Sequence, residues 1–166
     1  MKRSRVLSML SLVVVLLSIA TTAVASSNKN FRTHLSGGGE VPVVVTNAQG
    51  QALFKLNKDG DQLHYKLNVA NIENITAAHI HLGPATGTGG VVVWLYPIDG
   101  PPGVLIPGRT NGTLAEGDIT DENLTGALAG LSLEDLIAEI EAGNTYVNVH
   151  TSANPNGEIR GQLHNH

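Results

Sequence analysis

His79 and His81, in the run Ala78-His79-Ile80-His81-Leu82, have the spacing at which two side chains of one β-strand point to the same face. Two imidazoles so placed can reach one point beside the strand, the simplest geometry for two ligands on one metal ion. His150 closes another β-forming run, Tyr146-Val147-Asn148-Val149-His150, where it shares a face with Asn148. With Ala78, Ile80, Val147 and Val149 turned to the core, all three histidines stand on the outer side of a sheet and form one external cluster if the strands are neighbours. Imidazole-only ligation suits copper or zinc and not calcium or magnesium. Copper is the favoured ion and zinc the alternative. His64, on the opposite face from Leu63 and Tyr65, is an additional candidate ligand. The competing reading is three ordinary surface histidines, each hydrogen-bonded locally. His34, His164 and His166 lie near the ends, where a frayed tail is the simpler account of the His164-Asn165-His166 spacing.

Other chemistry is sparse. The chain has no cysteine, which excludes thiolate ligands, thiol nucleophiles and disulfides. It carries no nucleophile elbow and no His-Glu-x-x-His. The glycines between Gly83 and Gly90 open no helix, so no phosphate cradle is expected. Asp118, Asp121 and Glu122 lack the spacing of a calcium loop and read as a solvated acidic segment. Asn74-Ile75-Thr76, Asn111-Gly112-Thr113 and Asn123-Leu124-Thr125 match the glycosylation sequon.

The elements that must position the histidines are mostly strands. Gly50–Leu56 and Gln62–Val69 alternate apolar and polar residues around the turn Asn57-Lys58-Asp59-Gly60, which predicts a hairpin. Thr76–Leu82 carries the histidine pair, and Val91–Tyr96 holds Trp94, the one tryptophan. Pro97–Pro107 is a proline-rich loop or edge segment, and Gly112–Thr120 a weaker strand. Leu133, Leu136, Ile137 and Ile140 form one apolar stripe, with Ser132 as N-cap, Asp135 as the capping-box acid and Gly143 after the end. That predicts one short helix at 133–142. Thr145–Thr151 and Gly157–Leu163 are the last strands. The fold class expected is mainly β: a Greek-key-like antiparallel β-sandwich or flattened barrel with one short α-helix.

The 166 residues suit one domain. Lys2, Arg3 and Arg5, the apolar run Val6–Ala20 and Ala23-Val24-Ala25 have the order of a secretory signal peptide, expected to span 1–25. A flexible leader is expected at 26–30 and one domain over 31–166. Without the three signal cations, seven Lys and Arg face 14 Asp and Glu. A domain so acidic is not expected to bind nucleic acid, or the membrane once the signal is removed. The expected location is periplasmic or extracellular, with a metal ion and other extracellular proteins as partners.

Four motifs, in order, resemble those of the CHRD (chordin-type) domain family. They are Leu35-Ser36-Gly37-Gly38-Gly39-Glu40-Val41-Pro42, Ala77-Ala78-His79-Ile80-His81-Leu82-Gly83-Pro84, Ala142–Thr151, and Asn154-Pro155-Asn156-Gly157-Glu158-Ile159-Arg160-Gly161-Gln162-Leu163. The resemblance runs from about Phe31 to Leu163 and implies a stand-alone exported form of this domain. Growth-factor antagonism, known for chordin, is not implied, because the cysteine-rich modules are absent. A fainter resemblance is to copper–zinc superoxide dismutase: a His-x-His pair, a later Val-x-His strand, then Asn-x-Gly and an arginine. It implies copper ligation by His79, His81 and His150, with Arg160 near the position that guides an anionic substrate. No histidine lies between His81 and His150, so the bridging and zinc ligands of that enzyme have no counterpart. The function expected is transition-metal binding, with catalysis not expected. The alternative is a non-catalytic adhesive or structural β-sandwich, and a copper-only dismutase ranks third.

Overall fold

A computed structural model describes residues 29–165, so the expected signal peptide lies outside the described residues. Eight strands and one helix follow one another as β1 (Asn30–Ser36), β2 (Gln49–Leu56), β3 (Leu63–Leu82), β4 (Gly90–Tyr96), β5 (Ile106–Ile119), α1 (Leu133–Glu141), β6 (Thr145–Thr151), β7 (Ile159–Gln162) and β8 (His164–Asn165). All pairings are antiparallel, in the order β2-β1-β7-β6-β3-β4. The first half of β3 also pairs with β2, which closes the sheet into a flattened barrel-like sandwich. β5 runs along the other side of that half. The late β6–β7 hairpin is therefore inserted between β1 and β3, and this brings His150 beside His79 and His81.

The predicted hairpin pairs Leu56 with Leu63 and Gly50 with Val69. Asn57 sets its turn: Oδ1 accepts the N–H groups of Gly60, Asp61 and Gln62. Gly60 supplies the positive φ of 80° that the turn requires. The alternation is reproduced in burial, with Ala52 and Phe54 inside and Gln51 and Lys55 outside. Tyr65, Leu67, Ile75, Ile80, Leu95 and Val147 fill the centre of the core. In α1 the stripe Leu133, Leu136, Ile137 and Ile140 is buried, as expected. Asp135 accepts both the N–H and the hydroxyl of Ser132, and Gly143 follows with φ +73°.

Two differences from the sequence reading matter. The strands expected at 62–69 and 76–82 are one strand of 20 residues. It continues through Asn71 and Asn74, whose φ angles of 55° and 53° place them in the left-handed region that asparagine tolerates. Register shifts against β5 fall at these positions, so the polar stretch bends the strand without ending it. The second is at the end of the leader expected at 26–30, of which only Lys29 and Asn30 are among the described residues. Asn30 opens β1, the Lys29 carbonyl accepts the Leu56 N–H, and Lys29 Nζ stands 2.8 Å from Glu141. β1 itself alternates, with Phe31, Thr33 and Leu35 inward.

Candidate metal centre

The strand registers build the site. Across the β3–β6 ladder, Ala77 lies opposite His150, His79 opposite Asn148, and His81 opposite Tyr146. β7 continues the patch, with Arg160 opposite Asn148 and Gln162 opposite Tyr146. On the other flank Trp94 of β4 is opposite His79. One face of three neighbouring strands thus carries His79, His81, His150, Asn148, Tyr146 and Arg160, while Ala78, Ile80, Val147 and Val149 fill the core behind it. The predicted parity holds.

The cluster is not external, however. His79 and His81 are only 6% and 8% exposed, and His150 is half-buried. Large neighbours and the segment 83–90 cover the outer face. The Trp94 ring meets His79 edge-on at 4.2 Å between centroids, and Tyr146 stacks on His81 at 4.8 Å with nearly parallel planes. Segment 83–90 is tied down at several points. Arg160 donates to the carbonyls of Pro84 and Gly87, Gln162 to that of Gly83, and the Gly89 N–H to the Tyr146 hydroxyl.

The three histidines offer ligand nitrogens that all lie within 4.8 Å of one another. Burial lowers all three pKa values. For His79 it does so with the help of His150 and His81, to about 3. His81 is lowered against the opposing effects of the Gly89 carbonyl and the Asn148 amide, and His150 against that of the Pro155 carbonyl. The rings are therefore neutral at ordinary pH, the state in which imidazole binds metal. Their tautomers follow from their partners. His81 Nδ1–H donates to the Gly89 carbonyl at 2.9 Å, and His150 Nδ1–H to the Pro155 carbonyl at 3.0 Å. Both Nε2 atoms then carry lone pairs. His79 Nδ1–H donates to the His150 Nε2 lone pair at 3.0 Å, which leaves the His79 lone pair on Nε2. His81 Nε2 is buried with no hydrogen-bond partner, as is His79 Nε2.

This arrangement fits a metal ion. Ring N–H groups held by backbone carbonyls are the usual support of metal-bound histidine. Two nitrogens at about 2.0–2.1 Å from one ion stand no more than about 4.2 Å apart. The ligand nitrogens lie within 4.8 Å of one another, so a pair at that distance closes by about 0.6 Å to hold one ion. Each of the three rings offers one nitrogen to such an ion, with His81 and His150 offering Nε2.

The other candidates fall elsewhere. His64 is the second residue of β3, at the far end from His79 and His81, and bonds to Asp118 at 2.9 Å. His34 is exposed on β1 and His164 on β8, while His166 lies outside the described residues. Arg160 does not face an anionic substrate: it is 2% exposed, bound to two carbonyls, and its guanidinium lies 3.4 Å over the Tyr146 ring. Sequence reasoning assigned no role to Trp94, Tyr146 or Gly89. Only cross-strand register reveals them, although the parity of Tyr146 and Asn148 with His150 was visible.

A family model for the CHRD domain matches residues 31–163. No curated protein and no solved structure matches the chain significantly.

Proposed function

The chain belongs to the CHRD-domain family, and from that premise we propose that it is an exported protein that binds one transition-metal ion, copper in preference to zinc, through His79, His81 and His150. The observation that carries this reading is the convergence of three neutral imidazoles whose ring N–H groups on His81 and His150 are already fixed by backbone carbonyls. Leaving a buried polar atom without a partner costs about 1–3 kcal/mol. An ion at the cluster satisfies the lone pair of His81 Nε2. Bound copper supplies a Lewis-acidic, one-electron redox centre. The residues of the chain position the ion, exclude bulk water with Trp94 and Tyr146, and keep the ligands deprotonated by burial. Storage or delivery of the ion suits such a covered site. The commitment of Arg160 to segment 83–90 speaks against guidance of an anionic substrate.

The test is a titration of the metal-free protein with Cu(II) and with Zn(II). Trp94, the one tryptophan, beside His79, is a built-in reporter. Cu(II) is expected to bind one to one and to quench its fluorescence. His79→Ala and His150→Ala are each expected to lose tight binding. Equal metal content in the wild type and both variants sinks the proposal.

A further inference from the structure

The patch around the histidines holds one more donor atom. Asn148 lies directly opposite His79 in the β3–β6 ladder and two residues from His150, so its side chain shares their face. It is 2% exposed, and its Oδ1 has no hydrogen-bond partner among the described residues. Its carboxamide shares this face with His81, which stands opposite Tyr146, two residues before Asn148. His81 Nδ1–H is committed to Gly89, so the unpartnered Nε2 presents a buried lone pair on the same face. Two buried lone pairs with no donor between them repel, and a cation between them turns repulsion into attraction.

The other end of the amide lies against Gly157. Asn148 Nδ2 lies 2.9 Å from the place a side-chain carbon on residue 157 would take, and Glu40 Oε1 would overlap that same place. Residue 157 is glycine, with φ +124°, and its lack of a side chain leaves room for both.

We propose that Asn148 is the fourth donor of the site, its Oδ1 completing a set of three nitrogens and one oxygen, and that it sets the preference among ions. This rests on the metal-binding reading above. An amide oxygen is a harder ligand than imidazole or sulfur, and it favours Cu(II) and Zn(II) over the soft Cu(I). Asn148 is in this sense a specificity-determining residue.

The test compares the wild type with Asn148→Leu, which removes the oxygen at similar volume, and Asn148→Asp, which replaces the amide with a carboxylate. Each is titrated with Cu(II), Zn(II) and Cu(I), and the Cu(II) forms are examined by electron paramagnetic resonance. In the Leu variant, affinity for Cu(II) and Zn(II) is expected to fall about ten- to a hundredfold, with Cu(I) affinity held. In the Asp variant, Cu(II) binding is expected to tighten about tenfold, with a changed resonance spectrum. If the Leu variant does not fold, the Asp variant alone carries the comparison. A Cu(II)-to-Cu(I) affinity ratio and spectrum that do not depend on residue 148 overturn the role of Asn148 and leave three-histidine binding intact. A wild type that binds none of the three ions overturns both.

Discussion

Buried ionisable groups make the stability of this protein depend on pH in two opposed ways. The three site histidines titrate below the ordinary value of 6.5, and His79 only near 3. As pH falls through 6.5 the unfolded chain takes up protons that the folded chain refuses, so the metal-free fold loses stability down towards the folded values. Glu40 acts in the other direction. Burial raises its carboxyl from 4.5 to about 7, against the attraction of Arg160. Its contribution is fully present below pH 4.5 and is lost as pH rises to about 7, because the unfolded carboxyl ionises first. A shift of that size corresponds to about 3 kcal/mol. Denaturant unfolding of the wild type and Glu40→Gln across pH 4.5 to 8 separates the two effects. The stability advantage of the Gln variant should grow by about 3 kcal/mol over that range, and a constant difference would show that Glu40 is not held protonated. The histidines were legible as a site because strand parity is a property of the sequence alone. Glu40 was not legible beside Asn148 and Gly157, because it comes to them from more than 100 residues away in the chain.

At the scale of elements, segment 83–90 decides whether the histidines are covered. It has no strand pairing before Gly90, so side chains from β6 and β7 hold it: Arg160 on Pro84 and Gly87, Tyr146 on Gly89, Gln162 on Gly83. Hydrogen bonds from a charged donor contribute about 1.5–3 kcal/mol each. Arg160→Ala should therefore destabilise the protein by about 3 kcal/mol or more and open the segment to proteolysis. It should also weaken metal binding about ten- to a hundredfold, because the Gly89 carbonyl that fixes His81 is released. Gly89→Ala tests the same point from the backbone, since a methyl there would overlap the Leu82 carbonyl. Native-like protease resistance and unchanged affinity in both variants would show that the segment does not support the site. The elements themselves were legible where local rules decide them. Ser132, Asp135 and Gly143 mark both ends of α1, and Asn57 and Gly60 mark the first turn. The single long β3 was not legible. Asn71, Glu73 and Asn74 read as a break, whereas pairing with β5 on one flank carries the backbone through.

For the whole molecule, the absence of cysteine leaves an ion as the strongest cross-link open to the fold. β3 and β6 are adjacent in space, yet His79 and His150 are 71 residues apart in the chain. An ion held by both joins the ends of a long loop that includes β4, β5 and α1, a link that only the folded chain can make. Binding to the folded state alone adds about 2.7 kcal/mol when free ligand is at 100 times Kd. For a domain of this size that corresponds to a rise in Tm of roughly 10 °C. Calorimetry of the metal-free protein with and without Cu(II) measures it directly. The rise should vanish in His150→Ala and persist in His64→Ala, because His64 lies at the other end of β3, with Asp118 and Glu116 as its partners. A rise that survives His150→Ala would move the bound ion off the β3–β6 face. The spacing of His164 and His166 would then be the next place to look, and the fold would owe the ion none of its stability at this face.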